Sequence, residues 1–257
     1  MTDRPDRTRS SRTVLVLVGA ALILLGVIAI AGLLSGSVRE QSTAQFQEVT
    51  VLELDLDSAA VTVRADGESV VVRKDVTSGW FGGSSSEEQN GSTLRVVKRC
   101  PPVLGFGCGG TYVITVPAGV EVRGGTSNGA ITLDGIEAAV DVATSNGAIE
   151  MSGLSGEVSV RTSNGRIQGG SLSSPSLRAS TSNGRINLEL SATPTTLEAR
   201  TSNGDIEIVL ADDAPAVALS TTTSNGRTDT QIRTDPNADA SMTITTSNGD
   251  ITVRYPS

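Results

Sequence analysis

The amino-acid sequence predicts an all-β chain, a right-handed parallel β-solenoid (β-helix) of short rungs preceded by one transmembrane α-helix. Three observations point there. The tetrapeptide Thr-Ser-Asn-Gly recurs seven times at a slowly growing period. Aromatic residues make up only 2% while 28 residues are glycine, so cohesion cannot rest on the bulky rings of an ordinary core. An uncharged apolar run occupies residues 13–34.

The motif begins at Thr126, Thr144, Thr162, Thr181, Thr201, Thr223 and Thr246, with successive spacings of 18, 18, 19, 20, 22 and 23 residues. A fixed period of about 20 residues is the signature of a stacked repeat architecture. The segments VDVATSNGAIEM, TLEARTSNGDIEI and MTITTSNGDITV share one frame: an alternating run, Asn-Gly, and a second alternating run. Each copy is therefore two short strands joined by a sharp corner. Asn-Gly between alternating runs is also the leading hairpin signal, and seven hairpins would give a meander or a propeller. Those arrangements do not set each residue of one copy against its counterpart in the next. A solenoid does, and it accounts for four preserved letters between drifting flanks.

Side-chain parity adds detail. Val140, Val142, Thr144 and Asn146 are two apart, which puts all four on one face, whereas Ile149 and Met151 have the opposite parity. Hence Thr and Asn of every copy are expected to point inward and Ser outward. Stacked Asn128, Asn146, Asn164, Asn183, Asn203, Asn225 and Asn248 would form a continuous amide ladder. The chain is expected to slip by one at Asn-Gly, as a corner does when one residue adopts φ > 0, and glycine to follow because the corner leaves no room for a Cβ. The residue after it (Ala130, Ala148, Arg166, Arg185, Asp205, Arg227, Asp250) faces out. Only the sixth copy lacks the following Ile, with Thr228 instead, which puts the packing of that rung in question. Residues 119–257 form this solenoid, and Pro256 is expected to blunt its open end.

Residues 48–118 form an N-terminal β block. Residues 48–75 alternate strongly and read as three strands, with 94–98 and 111–116 as two more. Ser58-Ala59-Ala60 stands where a rung would have Ser-Asn-Gly, which makes this stretch a degenerate first rung. Two loops, 78–92 and 100–110, hold Trp80, Phe81 and Phe106, half of the six aromatic residues. Aromatics on glycine-rich loops serve as binding anchors or as a small satellite core. Cys100 and Cys108, the only cysteines, bracket the second loop. An even count in an exported chain favours a disulfide, while two thiolates without histidine fall short of a tetrahedral metal set.

The run from Thr13 to Leu34 would span roughly 33 Å as a helix, about the thickness of a bilayer core. Arg4, Arg7, Arg9 and Arg12 precede it, so residues 1–12 form a cytoplasmic tail and the chain beyond a 35–47 linker lies outside. The alternative is a signal peptide cleaved after Ala29-Ile30-Ala31, although the apolar run continues past that point. Either way the solenoid is exported.

Composition narrows function. There is no histidine, the usual general base and metal ligand near neutral pH, and no cofactor motif. Net charge is −8 overall and near −10 once the +2 of residues 1–12 is set aside, so nucleic acid is not an expected partner. The anchor, the LELDLDSAAVTV block, the VITVPAGVEV step and serial TSNG-x-I units together resemble the β-strand-repeat family of bacterial envelope proteins, candidate adhesins of unknown function. The similarity spans about residues 48–255. It implies a β-solenoid ectodomain linked to surface adhesion or envelope stress, with no catalytic residues to carry over. The expected function is a non-catalytic module that binds an envelope protein or cell-surface glycan. A self-assembling scaffold is the alternative. A carbohydrate-active enzyme using Asp205, Glu207 and Asp250 is a third reading, disfavoured because other rungs fill those outward positions with Ala, Arg or Thr.

Overall fold

A computed structural model describes residues 30–31, 38–78, 83–101 and 107–256. The chain folds into two facing sheets, one of twelve strands and one of ten, and no helix occurs among the described residues. The expected helix over 13–34 lies outside these residues except for β1 (Ile30–Ala31). Those two residues are extended and pair antiparallel with β2 (Val38–Phe46). No described helix is long and apolar enough to cross a membrane.

The repeat builds two-strand rungs, the first strand in the ten-stranded sheet and the second in the twelve-stranded one. The first rung is β3 (Val51–Leu56) with β4 (Ala60–Arg64). After β5 (Val70–Ser78) and β6 (Ser84–Asn90), the chain makes a rung of β7 (Thr93–Arg99) and β8 (Gly109–Thr115). The motif-bearing rungs follow: β9 (Glu121–Asn128) with β10 (Ile131–Asp134), β11 (Val140–Asn146) with β12 (Ile149–Ser152), and β13 (Val158–Asn164) with β14 (Ile167–Leu172). Then come β15 (Ser176–Asn183) with β16 (Ile186–Leu190) and β17 (Thr196–Arg200) with β18 (Ile206–Val209). The last two are β19 (Ala218–Asn225) with β20 (Thr228–Gln231), and β21 (Ser241–Asn248) with β22 (Ile251–Arg254).

All neighbouring rungs pair in parallel and, apart from a shift between Gly169 and Leu172 in β14, in register, so identical positions form columns. In the twelve-stranded sheet Val61, Ile131, Ile149, Ile167, Ile186, Ile206 and Ile251 stack. In the ten-stranded sheet Leu52, Val122, Val140, Val158, Leu177 and Leu197 do the same. These columns are buried and form one continuous apolar core. Small β-branched residues suffice because each touches like residues above and below, and backbone ladders satisfy the polar groups.

The stack does not follow sequence order. Rung β21–β22, the seventh copy, lies between β17–β18 and β19–β20, so the sixth copy forms the end. The inward residues explain this. Met242, Ile244, Ile251 and Val253 are fully buried, whereas all four residues of β20 are exposed, including Thr228 opposite Ile251 and Thr230 opposite Val253. The more apolar rung takes the covered slot and the more polar one meets water. The question raised by Thr228 is thereby answered, and the expectation that Pro256 blunts the end is replaced.

At the other end the chain also overshoots. Rung β7–β8 lies outside β3–β4, and β5, β2 and β6 close the stack with antiparallel pairings. Two expectations change here. The 35–47 linker contains a nine-residue strand, and the 78–92 loop contains β6, joined to β7 through a turn at Gly91 with φ of 60°. The N-terminal block and the repeats form the same two sheets, since β3–β4 pairs directly with β9–β10.

Candidate functional site

The seven motifs form one edge of the stack, where the chain passes from one sheet to the other. Thr144, Thr162, Thr181, Thr201 and Thr246 are buried, as predicted. Each hydroxyl donates to a corner glycine carbonyl of the adjacent rung: Thr144 to Gly129, Thr162 to Gly147, Thr181 to Gly165, Thr201 to Gly184, and Thr246 to Gly204, all at 3.0 Å. The hydroxyl thus satisfies a carbonyl that the bend removes from the regular ladder.

The asparagines are joined as a ladder, but they are exposed, not inward. Nδ2 of each donates to Oδ1 of the next: Asn146 to Asn128 (2.8 Å), Asn164 to Asn146 (3.0 Å), and Asn183 to Asn164 (2.9 Å). Beyond Asn203 the ladder follows stack order, passing to Asn248 and then Asn225, each at 2.9 Å. Alternation breaks after Thr, so Ser and Asn both face out. The physical reason is donor count. A primary amide has two N–H donors and the ladder uses one, so an outward amide leaves the second to water, where an inward one would strand it.

The glycine is a matter of close approach. A Cβ on Gly147 would lie 1.9 Å from the carbonyl oxygen of Gly129, and one on Gly165 would lie 1.9 Å from that of Gly147. The expected lack of room for a Cβ thus holds, while the expected positive φ is found only at Gly204 (154°) and Gly249 (153°) of the motif glycines. The degenerate first rung also moves by one. Leu56 pairs with Thr126 and Val61 with Ile131, which places Asp57-Ser58-Ala59 at Ser-Asn-Gly.

The outward residue after glycine carries structural hydrogen bonds. Asp205 Oδ1 accepts the Asp250 N–H at 3.0 Å, and Asp250 Oδ1 accepts the Arg227 N–H at 2.7 Å. That Asp250 N–H, with the Arg185 guanidinium at 3.1 Å, holds the Asp205 carboxyl below the usual carboxylate range. Glu207 pairs with Arg254 at 2.9 Å.

The second candidate region is the N-terminal cap. The Cys100–Cys108 disulfide closes the loop that stands in for the motif corner between β7 and β8. Lys98 occupies the threonine column, opposite Leu56, and is fully buried. Among the described residues its ammonium has one acceptor, the Thr77 carbonyl at 3.5 Å, and desolvation holds it below the usual lysine range. Nearby Lys74 reaches Glu87 at 3.1 Å and Glu40 at 3.2 Å. Burial pushes the Tyr112 hydroxyl up to about 12, with Ser85 Oγ at 2.7 Å. Trp80, Phe81 and Phe106 lie outside the described residues. Sequence reading passed over Lys74 and Lys98, although a lysine at an inward parity position in each strand was the available signal. No group of three or more His, Cys, Asp or Glu side chains among the described residues could hold a metal.

A two-sheet, solenoid-like stack of parallel rungs with a polar motif edge defines a repeat-built β class. Within that class the chain belongs to the Toastrack DUF4097 family, whose model matches residues 115–254. Solved structures similar to it include a candidate cell adhesion protein from Clostridium sporogenes (10% identity, covering 85% of this chain and 100% of that one, TM-score 0.39). A candidate adhesin from Bacteroides fragilis is similar at 11% identity, covering 85% and 97%, with a TM-score of 0.39. Another from Parabacteroides merdae follows at 9% identity, 84% and 95% coverage, and a TM-score of 0.35. No curated protein sequence matches the chain.

Proposed function

We propose that the chain is a single-pass envelope protein, its N-terminus cytoplasmic, whose exported right-handed solenoid binds another envelope component without catalysis. The anchor is the uncharged run that begins at Thr13 and precedes β1, behind four arginines. Export is supported by the Cys100–Cys108 disulfide, a bond that persists in oxidising compartments. Right-handedness follows the general rule for parallel β connections.

One observation carries the binding role over the enzymatic one. Asp205 and Asp250, two of the carboxylates a glycosidase reading would use, are committed to backbone N–H groups of neighbouring rungs. They hold the corner together, which leaves them poorly placed to exchange protons with a substrate. The scaffold reading loses support from the exposed polar rung β19–β20, which offers water-compatible side chains where a stacking end would offer apolar ones.

The test is capture from envelope extract by the full chain in detergent micelles, against a Trp80→Ser, Phe81→Ser, Phe106→Ser variant of matched fold. A partner held only by the unaltered protein assigns binding to the two N-terminal loops. A partner held equally by both assigns it to the solenoid surface. Hydrolysis or cleavage of a wall glycan by the purified chain would overturn the reading.

A further inference from the structure

Acidic residues outnumber basic ones on one of the two long edges of the stack, where Arg64, Arg233 and Arg254 also lie. The edge opposite the motif carries Asp134, Glu137 and Glu157 on early rungs and Asp212, Asp213 and Asp235 on late loops. The motif edge is different. On the three consecutive rungs from β13 to β18 it is flanked by Arg161, Arg166, Arg185 and Arg200, with Arg178 two residues farther from the motif along β15. Their carboxylate partners are only Glu150, Glu198 and Asp205, with Glu198 shared by Arg178 and Arg200. Arg161 has no ion pair among the described residues. The side chains of the four paired arginines remain 59–64% exposed, so most of their N–H donors face water.

Register makes these arginines a track. Arg161 and Arg200 flank Ser180 in one column, two rungs apart. Arg166 and Arg185 follow glycine in consecutive rungs, one spacing of about 4.8 Å apart. Between the two lines run the outward serines, such as Ser163 and Ser182, whose hydroxyls have no partner among the described residues. Beside them the Asn ladder presents one free amide N–H per rung.

Resting on the binding-module reading above, we infer that this stretch of the motif edge binds a linear glycan bearing carboxylate groups, laid along the stack. Guanidinium forks match carboxylates bidentately. The free serine hydroxyls and amide N–H groups match sugar hydroxyls between them. The overall charge of −8 does not prevent this. Glu157 and the Asp134 column lie about four residues of strand from Arg161 and Arg166, roughly 13 Å, which is beyond one Debye length at physiological salt.

The experiment measures retention of the full chain, in detergent micelles, on immobilised polygalacturonate, with neutral dextran as the control polymer. Three proteins are compared: the unaltered chain, Arg161→Gln/Arg166→Gln/Arg185→Gln, and Arg64→Gln/Arg73→Gln/Arg123→Gln. The last removes the same charge from exposed arginines elsewhere. Expected are salt-sensitive binding to polygalacturonate but not dextran, about tenfold weakening in the first variant, and a change within about twofold in the second. Equal weakening in both variants, or none in the first, overturns the inference. So does an unaltered chain that ignores polygalacturonate yet still captures an envelope partner, a result that leaves the binding-module reading standing.

Discussion

Rungs β13–β14 and β19–β20 carry the same four letters and make the same corner, yet one lies mid-stack and the other ends it. In both, threonine donates to a glycine carbonyl at 3.0 Å and asparagine donates to the neighbouring asparagine. Their flanks differ. The middle rung buries Val158, Val160 and Ile167 in the core, whereas the end rung has Leu219, Thr221 and Thr228 in the equivalent positions, none of them fully buried. The motif therefore specifies the bend, and the inward flanking residues specify the place in the stack. Sequence order specifies neither, since the seventh copy sits inside the sixth.

The largest effect should come from exchanging those flanks. Ile251→Thr with Val253→Thr puts two hydroxyls into the core and should cost about 4 kcal/mol. Adding Thr228→Ile and Thr230→Val should recover most of it by inverting the order, so that the sixth copy stacks directly on β17–β18. A cross-link reads the order. Glu198, Thr243 and Ser220 are aligned on successive rungs, so Glu198→Cys and Ser220→Cys are two rungs apart, too far for a disulfide. That bond should form only in the fourfold variant. Its formation in the unaltered background would refute the observed order.

Next is the corner glycine. Gly165→Ala drives a Cβ against the Gly147 carbonyl, with rungs packed on both sides, and should cost about 3 kcal/mol or more. Gly226→Ala meets a similar obstacle, the Gly249 carbonyl at 2.0 Å, but only on one side. The end rung can swing away, so about 1 kcal/mol is expected in global unfolding. Equal costs by denaturant titration would mean that the end rung is as constrained as the middle.

Much of this was legible in the sequence, for identifiable reasons. The repeated tetrapeptide gave the stacked rungs, parity gave the inward threonines and isoleucines, and the even cysteine count in an exported chain gave the disulfide. Asparagine orientation was not legible, because counting by twos from Val140 assumes an unbroken strand and the alternation breaks at Ser145. Strands β2 and β6 were missed because VREQSTAQF and SSSEEQN lack a clear apolar alternation. Asn90-Gly91 was the available clue to β6. Of eight Asn-Gly pairs it alone makes a hairpin, because the other seven follow Thr-Ser and stack on copies of themselves. Rung order was hidden because every copy fits every slot at the motif. Only Thr228 and Thr230 hinted which copy would end the stack.

Smaller effects sharpen the comparison at the threonine. Thr162→Val removes the donor from the buried Gly147 carbonyl and should cost about 2 kcal/mol. Thr223→Val removes the equivalent bond to Gly249 at a half-buried position, where water can replace it, and should cost less than about 1 kcal/mol. Melting temperatures of the two variants should separate accordingly, and coincident values would remove the distinction between middle and end.

The smallest effect concerns the amide ladder, and it depends on how many ladder bonds each asparagine makes. Asn164 donates to Asn146 and accepts from Asn183, so Asn164→Ala breaks two exposed bonds and leaves both neighbours to water, for about 1 kcal/mol. Asn225 only donates, to Asn248, and its loss breaks one bond, for about half as much. Ser163→Ala, which breaks none among the described residues, sets the baseline near zero. A cost of 2 kcal/mol or more for Asn164→Ala would restore an inward, desolvated ladder. Costs indistinguishable from Ser163→Ala would mean that the ladder only orders the surface of an edge already fixed by threonine and glycine.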